Sequence, residues 1–127
     1  MATYTVVFEF TNNVAVQAQI INVISQGCSK WNPKPIQQVA NNGGKASGVL
    51  VSTQPGNPAS GSFQIAYSGG RGLFQAYFVF SLTESIFTVE PSTSQFYKVN
   101  YKIIGFEGNT MTCTMETVTA PGCPACT

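Results

Sequence analysis

The sequence predicts an all-β protein, an antiparallel β-sandwich of about eight strands. Three observations carry that prediction. Apolar residues alternate with polar ones in short runs, with the period of two that a half-buried strand requires. Glycine, proline and asparagine punctuate the runs at short spacing. No stretch shows the 3.6-residue apolar period of an amphipathic helix, and no internal repeat is present.

Tyr4, Val6, Phe8 and Phe10 alternate with Thr5 and Glu9, which gives the first strand. Thr11-Asn12-Asn13 reads as the turn of a hairpin leading into a second strand, Val14 to about Ile24. From Ser25 to Gly48 the alternation fails and Gly27, Pro33, Pro35, Gly43 and Gly44 interrupt the chain, so a long loop is expected there. Within it, Lys34 to Val39 fits either a strand or a helical turn. Val49-Leu50-Val51 is a short strand closed by the turn Gln54-Pro55-Gly56-Asn57-Pro58. Phe63, Ile65 and Tyr67 form the next, and Gly69-Gly70-Arg71-Gly72 reverses the chain. Leu73 to Phe80 is almost continuously apolar, the pattern of a central strand covered on both faces. Ser85 to Glu90 stops at Pro91, Phe96 to Phe106 is a long strand, and Thr110 to Thr119 closes the series after Glu107-Gly108-Asn109. In that last strand Thr110, Thr112, Thr114 and Glu116 oppose Met111, Cys113 and Met115, so one side is expected to be wet. The domain is placed at residues 1–119, with a cysteine-containing tail at 120–127.

Composition excludes more chemistry than it suggests. The chain of 127 residues has no His, its five acidic residues are all Glu, and its net charge is +1. A Ser-His-Asp triad and a His-ligated metal site are therefore ruled out, and neither a metal nor a cofactor is expected. Asn, Gln, Ser and Thr make up about a third of the residues, a surface of donors and acceptors with little long-range field. Lys30, Lys34, Lys45, Arg71, Lys98 and Lys102 are scattered, which argues against nucleic acid as a partner. The amino terminus lacks a basic segment, and Glu9 interrupts its apolar run, so no signal peptide is visible.

Cys28, Cys113, Cys123 and Cys126 allow two disulfides in three connectivities. Cys123-Pro124-Ala125-Cys126 has redox spacing but no following residues to build the helix whose dipole activates such a thiol. Four-cysteine zinc sites normally draw on two such pairs, and here there is one. Among the carboxylates, Glu84 and Glu90 flank one strand and stand about 20 Å apart at the usual rise, too far for either glycosidase geometry. No catalytic residue is assigned.

The candidate ligand-binding residues are Trp31, Asn32, Asn41, Asn42, Arg71 and Tyr77. An indole stacks on a sugar face or sits at the headgroup level of a bilayer, and neighbouring amides bond hydroxyls. The competing reading makes Trp31 a lid folded onto the sandwich. Arg71, at a turn tip, offers a fork for a carboxylate or phosphate, although the surrounding glycines are explained by the turn itself. Lys98, Asn100 and Lys102 share one strand face, either a polar ledge for a ligand or a solvated surface.

Tyr4-Thr5-Val6-Val7-Phe8, Asn12, Ile20 to Val23, Gly27 followed by Trp31, and Ser60-Gly61-Ser62-Phe63 together resemble the aegerolysins, and more broadly small mushroom lectins and cytolysins. The likeness covers about half the chain. It implies a β-sandwich that binds membrane lipids and is made without a signal peptide. Aegerolysins are rich in tryptophan and acidic residues, whereas this chain has Trp31 alone and no Asp, so only the class of surface binder carries over.

The expected function is non-catalytic recognition of a glycan, glycolipid or lipid headgroup through loops of the sandwich, with peripheral membrane contact. Weak single sites would call for a homo-oligomer. The competing expectation is a structural module that self-associates through strand edges that few charges protect.

Overall fold

The computed structural model describes residues 3–120. They form ten strands: β1 (Thr5–Asn12), β2 (Ala18–Gln26), β3 (Ser29–Trp31), β4 (Gln38–Val39), β5 (Gly44–Ser52), β6 (Ala59–Tyr67), β7 (Gly72–Phe80), β8 (Ser85–Glu90), β9 (Tyr97–Glu107) and β10 (Thr110–Thr119). Two five-stranded sheets face each other, the first ordered β3-β5-β1-β10-β9 and the second β4-β2-β6-β7-β8. All strand pairs are antiparallel except β1 with β10, where Phe8 stands beside Cys113 in parallel register. The all-β sandwich that the alternation predicts is thus the architecture, with a parallel pair inside the first sheet that alternation does not encode.

The core lies between the sheets and follows the period of two. Val6, Phe8 and Phe10 of β1, Met111, Cys113 and Met115 of β10, Phe63 and Ile65 of β6, and Phe74, Ala76 and Phe78 of β7 are all buried. Phe8 reaches across to Phe63 and Phe78, with ring centroids 4.9 and 5.6 Å apart, and Phe78 stacks on Phe87 at 4.8 Å. Each such ring removes enough apolar surface from water to contribute about 2–3 kcal/mol. Opposite Phe8 in β5 is Gly48, where an added Cβ would lie 2.7 Å from the Phe8 ring and 3.2 Å from Pro35. The glycine is required because the ring fills the place of its side chain.

Four sequence expectations are corrected. Asn12 is no turn residue: it ends β1 fully buried, and β1 and β2 belong to different sheets, so the expected first hairpin is a crossover. Its side chain holds the crossover by donating from Nδ2 to the carbonyls of Val16 (2.8 Å) and Ala40 (3.1 Å). Its Oδ1 accepts from the hydroxyls of Tyr67 (2.8 Å) and Thr117 (3.2 Å), which also contact each other, tying β1, β10 and β6 together. A buried amide with every partner in place rigidifies the junction and specifies one arrangement of the sheets.

Second, the long loop expected over 25–48 contains β3, β4 and the start of β5. These short edge strands raise the count from about eight to ten, and their brevity, with Pro33 and Pro35 between them, hides them from a periodicity reading. Third, β7 is not covered on both faces. It lies between β6 and β8 with Phe74, Ala76, Phe78 and Phe80 inward, while Leu73 and Tyr77 face outward and are exposed. Fourth, Trp31 lies on a strand, β3, instead of in a loop.

Asn12→Ala removes the acceptor shared by the Tyr67 and Thr117 hydroxyls and the donor to the Val16 and Ala40 carbonyls, and is expected to lower unfolding free energy by about 3 kcal/mol in urea titrations. Gly48→Ala forces the Phe8 ring aside and is expected to cost about 1–3 kcal/mol in the same measurement.

Candidate functional site

The structure distributes the six sequence-chosen binding residues over three places. Trp31 packs edge-on against Phe8, Phe63 and Phe78, with centroids 5.7, 6.1 and 5.9 Å away, and its Nε1 donates to the Ile24 carbonyl at 2.9 Å. Its ring and its only donor are thus committed to closing one flank of the core, as the lid reading has it. Asn32 follows on the same flank, its backbone N–H donating to Val49.

Asn41 and Asn42 lie at one end of the sandwich, about 20 Å along β5 from Trp31 at the strand rise. Asn41 Nδ2 caps the Ala15 carbonyl at 3.1 Å, and Asn42 has φ of 53°, the left-handed conformation asparagine tolerates in turns. Arg71 is at that end too, its guanidinium 5.6 Å above the Phe96 ring. Tyr77 is elsewhere, on the outward face of the second sheet.

A different set of polar residues does converge. On the outward face of the first sheet, strand register aligns Glu9 of β1, Thr114 of β10 and Lys102 of β9 in one row, and Thr11, Glu116 and Asn100 in the next. At ordinary sheet spacings the two rows span about 10 Å by 7 Å. They line an open hollow of about 360 Å³, with Tyr101 and Met115 forming part of its wall. The carboxylates are oriented both from within the rows and from outside them. Glu116 Oε2 accepts from Asn13 Nδ2 at 2.9 Å and its Oε1 from Asn100 Nδ2 at 3.5 Å, while Lys45 Nζ meets Glu9 Oε1 at 3.2 Å. Both members of that ion pair are more than half exposed, so it positions Glu9 more than it stabilises the fold.

The hollow is a set of preplaced acceptors, donors and hydroxyls open to water. No cluster of three or more Cys, Asp or Glu suited to a metal occurs among the described residues. Two of its strand faces are legible separately in the sequence, the Lys98-Asn100-Lys102 ledge and the wet side of the last strand. What periodicity does not encode is that β10 lies between β1 and β9, which brings Glu9 and Thr11 alongside.

Of the cysteines, Cys113 is fully buried in β10 and Cys28 is half-buried before β3, and they are not bonded to each other. Cys123 and Cys126 lie outside the described residues. Burial pushes the Cys113 thiol from its ordinary 9.0 up to about 12. It also pushes the Tyr67 hydroxyl well above the usual tyrosine value, against the opposing hydrogen bond from Thr117. No protein-family model matches the chain, and no curated protein matches it.

Trp31→Ala opens the flank over Phe8 and is expected to lower stability by about 3 kcal/mol while leaving any ligand affinity of the hollow within twofold, read by urea titration and binding isotherms. The two raised groups stabilise the fold fully below their unfolded-state values and lose that contribution as pH rises. Unfolding free energy should therefore fall from about pH 9 toward 12, and Cys113→Val should flatten the earlier part of that decline.

Proposed function

We propose that this chain is a non-catalytic recognition protein whose ligand is a polyhydroxylated group, a glycan or the headgroup of a glycolipid, held on the open face of its first sheet. The observation that carries this reading is the pair of three-residue rows, Glu9-Thr114-Lys102 and Thr11-Glu116-Asn100, with their carboxylates already oriented. Vicinal hydroxyls donate to a carboxylate in pairs and accept from amide and ammonium groups, so each element of the rows has a counterpart on a sugar. Glu9 and Glu116 together balance Lys45 and Lys102, which suits a neutral ligand. A shallow site of this kind binds weakly and gains from repeated epitopes.

Self-association through strand edges is the weaker reading, because the edges are managed. β3 and β4 are two or three residues long, β8 ends at Pro91, and β9 carries Lys98 and Lys102 and a bulge opposite Thr112 and Cys113.

The test is a glycan array and vesicle sedimentation with folded protein, the vesicles made with and without glycolipid. Binding to soluble oligosaccharide, or to glycolipid-bearing vesicles only, is expected. Glu116→Gln, with melting unchanged, should weaken it at least tenfold, as loss of a charge-assisted hydrogen bond does. Silence on the array and on both vesicle types, or full binding by Glu116→Gln, overturns the proposal.

A further inference from the structure

We infer that the open face of the second sheet is a self-association surface on which a second copy of this chain packs, sheet on sheet, about a twofold axis. This face differs from the other in charge, although β9 of the first sheet also exposes Ile104 and Phe106. The first sheet's strands carry seven of the eleven charged residues, whereas those of the second carry one, Glu90, at the end of β8. In place of charge the second face exposes Ile24 (47%), Leu73 (52%), Tyr77 (39%) and Ile86 (42%). Register makes most of this apolar surface contiguous. Ile24, Ser62, Tyr77 and Thr88 form one row across β2, β6, β7 and β8, and Val79 and Ile86 are paired in the next. The apolar run of β7 is that of a strand buried on both sides, and among the described residues nothing covers its outward half.

The chemistry of the face selects its occupant. A twofold contact sets a surface against itself, so the surface must be self-complementary. Charges of one sign fail that requirement, and apart from Glu90 the strands of this sheet have none. The polar groups between its apolar residues are amides and hydroxyls, such as Gln64, Gln75 and Thr88, and each both donates and accepts, so like can pair with like. Nucleic acid and anionic bilayers both select for cations, and the second sheet's strands have none.

The size is adequate as well. Four strands at about 4.8 Å spacing and about eight residues each at about 3.3 Å present about 500 Å² per copy, about 1,000 Å² for the pair, the lower bound for a specific interface. Joined by their second sheets, two copies would turn their first-sheet hollows outward on opposite sides. The association stands independently of what those hollows bind.

Sedimentation velocity at about 100 µM is expected to give twice the 13.6 kDa chain mass. Tyr77→Lys should weaken dimerisation at least 100-fold with an unchanged melting curve, and Ile86→Lys, at a separate exposed position, repeats the test if the first variant does not fold. Thr112→Lys, on the opposite sheet, should leave the dimer intact. Three results would overturn the inference: a monomeric wild-type protein, dimers of Tyr77→Lys and Ile86→Lys as tight as wild type, or equal disruption by Thr112→Lys. A monomer that sediments with neutral vesicles through Tyr77 would assign the face to a membrane instead and also overturn it.

Discussion

The position of the Phe8 ring governs much of this structure. From the central strand of one sheet it touches Phe63 and Phe78 of the other, and Trp31 closes over all three. Gly48 lacks a side chain because the ring occupies its place, and buried Pro35 completes the enclosure. The two sheets therefore meet through interlocking aromatic edges and faces, a packing whose contact geometry specifies one arrangement more narrowly than aliphatic filling would. Trp31 is drawn into the same requirement. A residue type suited to stacking on ligands is spent on closing the core of a chain with one tryptophan.

At the other end the sheets are joined by polar chemistry. Asn12 connects both sheets and two loop carbonyls, and no buried side-chain polar atom among the described residues lacks a partner. A satisfied network of this kind disfavours every register but one, since a shift of a single residue would bury an amide without its acceptors. Asn41 and Asn42 serve the same end by shaping and capping the turn above it.

The sandwich consequently shows two unlike faces to its surroundings. The first sheet presents oriented carboxylates, amides and hydroxyls in register, and the second presents uncharged rows of aliphatic and tyrosine side chains. A face that binds a hydrated ligand must keep its groups wet and preplaced. One that packs against protein must surrender its water at little cost, which uncharged groups do more readily than ions. The proposed ligand face and the proposed contact face differ in charge in the sense that these two demands require.

By itself the sequence determined the fold class, most strand positions and the inward set, because alternation with period two is a local property that survives any arrangement of the sheets. It also bounded the chemistry, since absent residue types stay absent in every fold. Tertiary structure alone decided which strands are neighbours. That choice turned Asn12 from a turn residue into a buried hub, made β1 and β10 parallel, and joined Glu9 and Thr11 to Asn100, Lys102, Thr114 and Glu116 from strands some ninety residues further on. It also left the outward half of β7 uncovered, where its apolar run had suggested burial on both sides. The physical reason is the same in each case: a strand's own residues specify which of its faces is apolar, whereas what lies beside it and above it depends on where the rest of the chain returns.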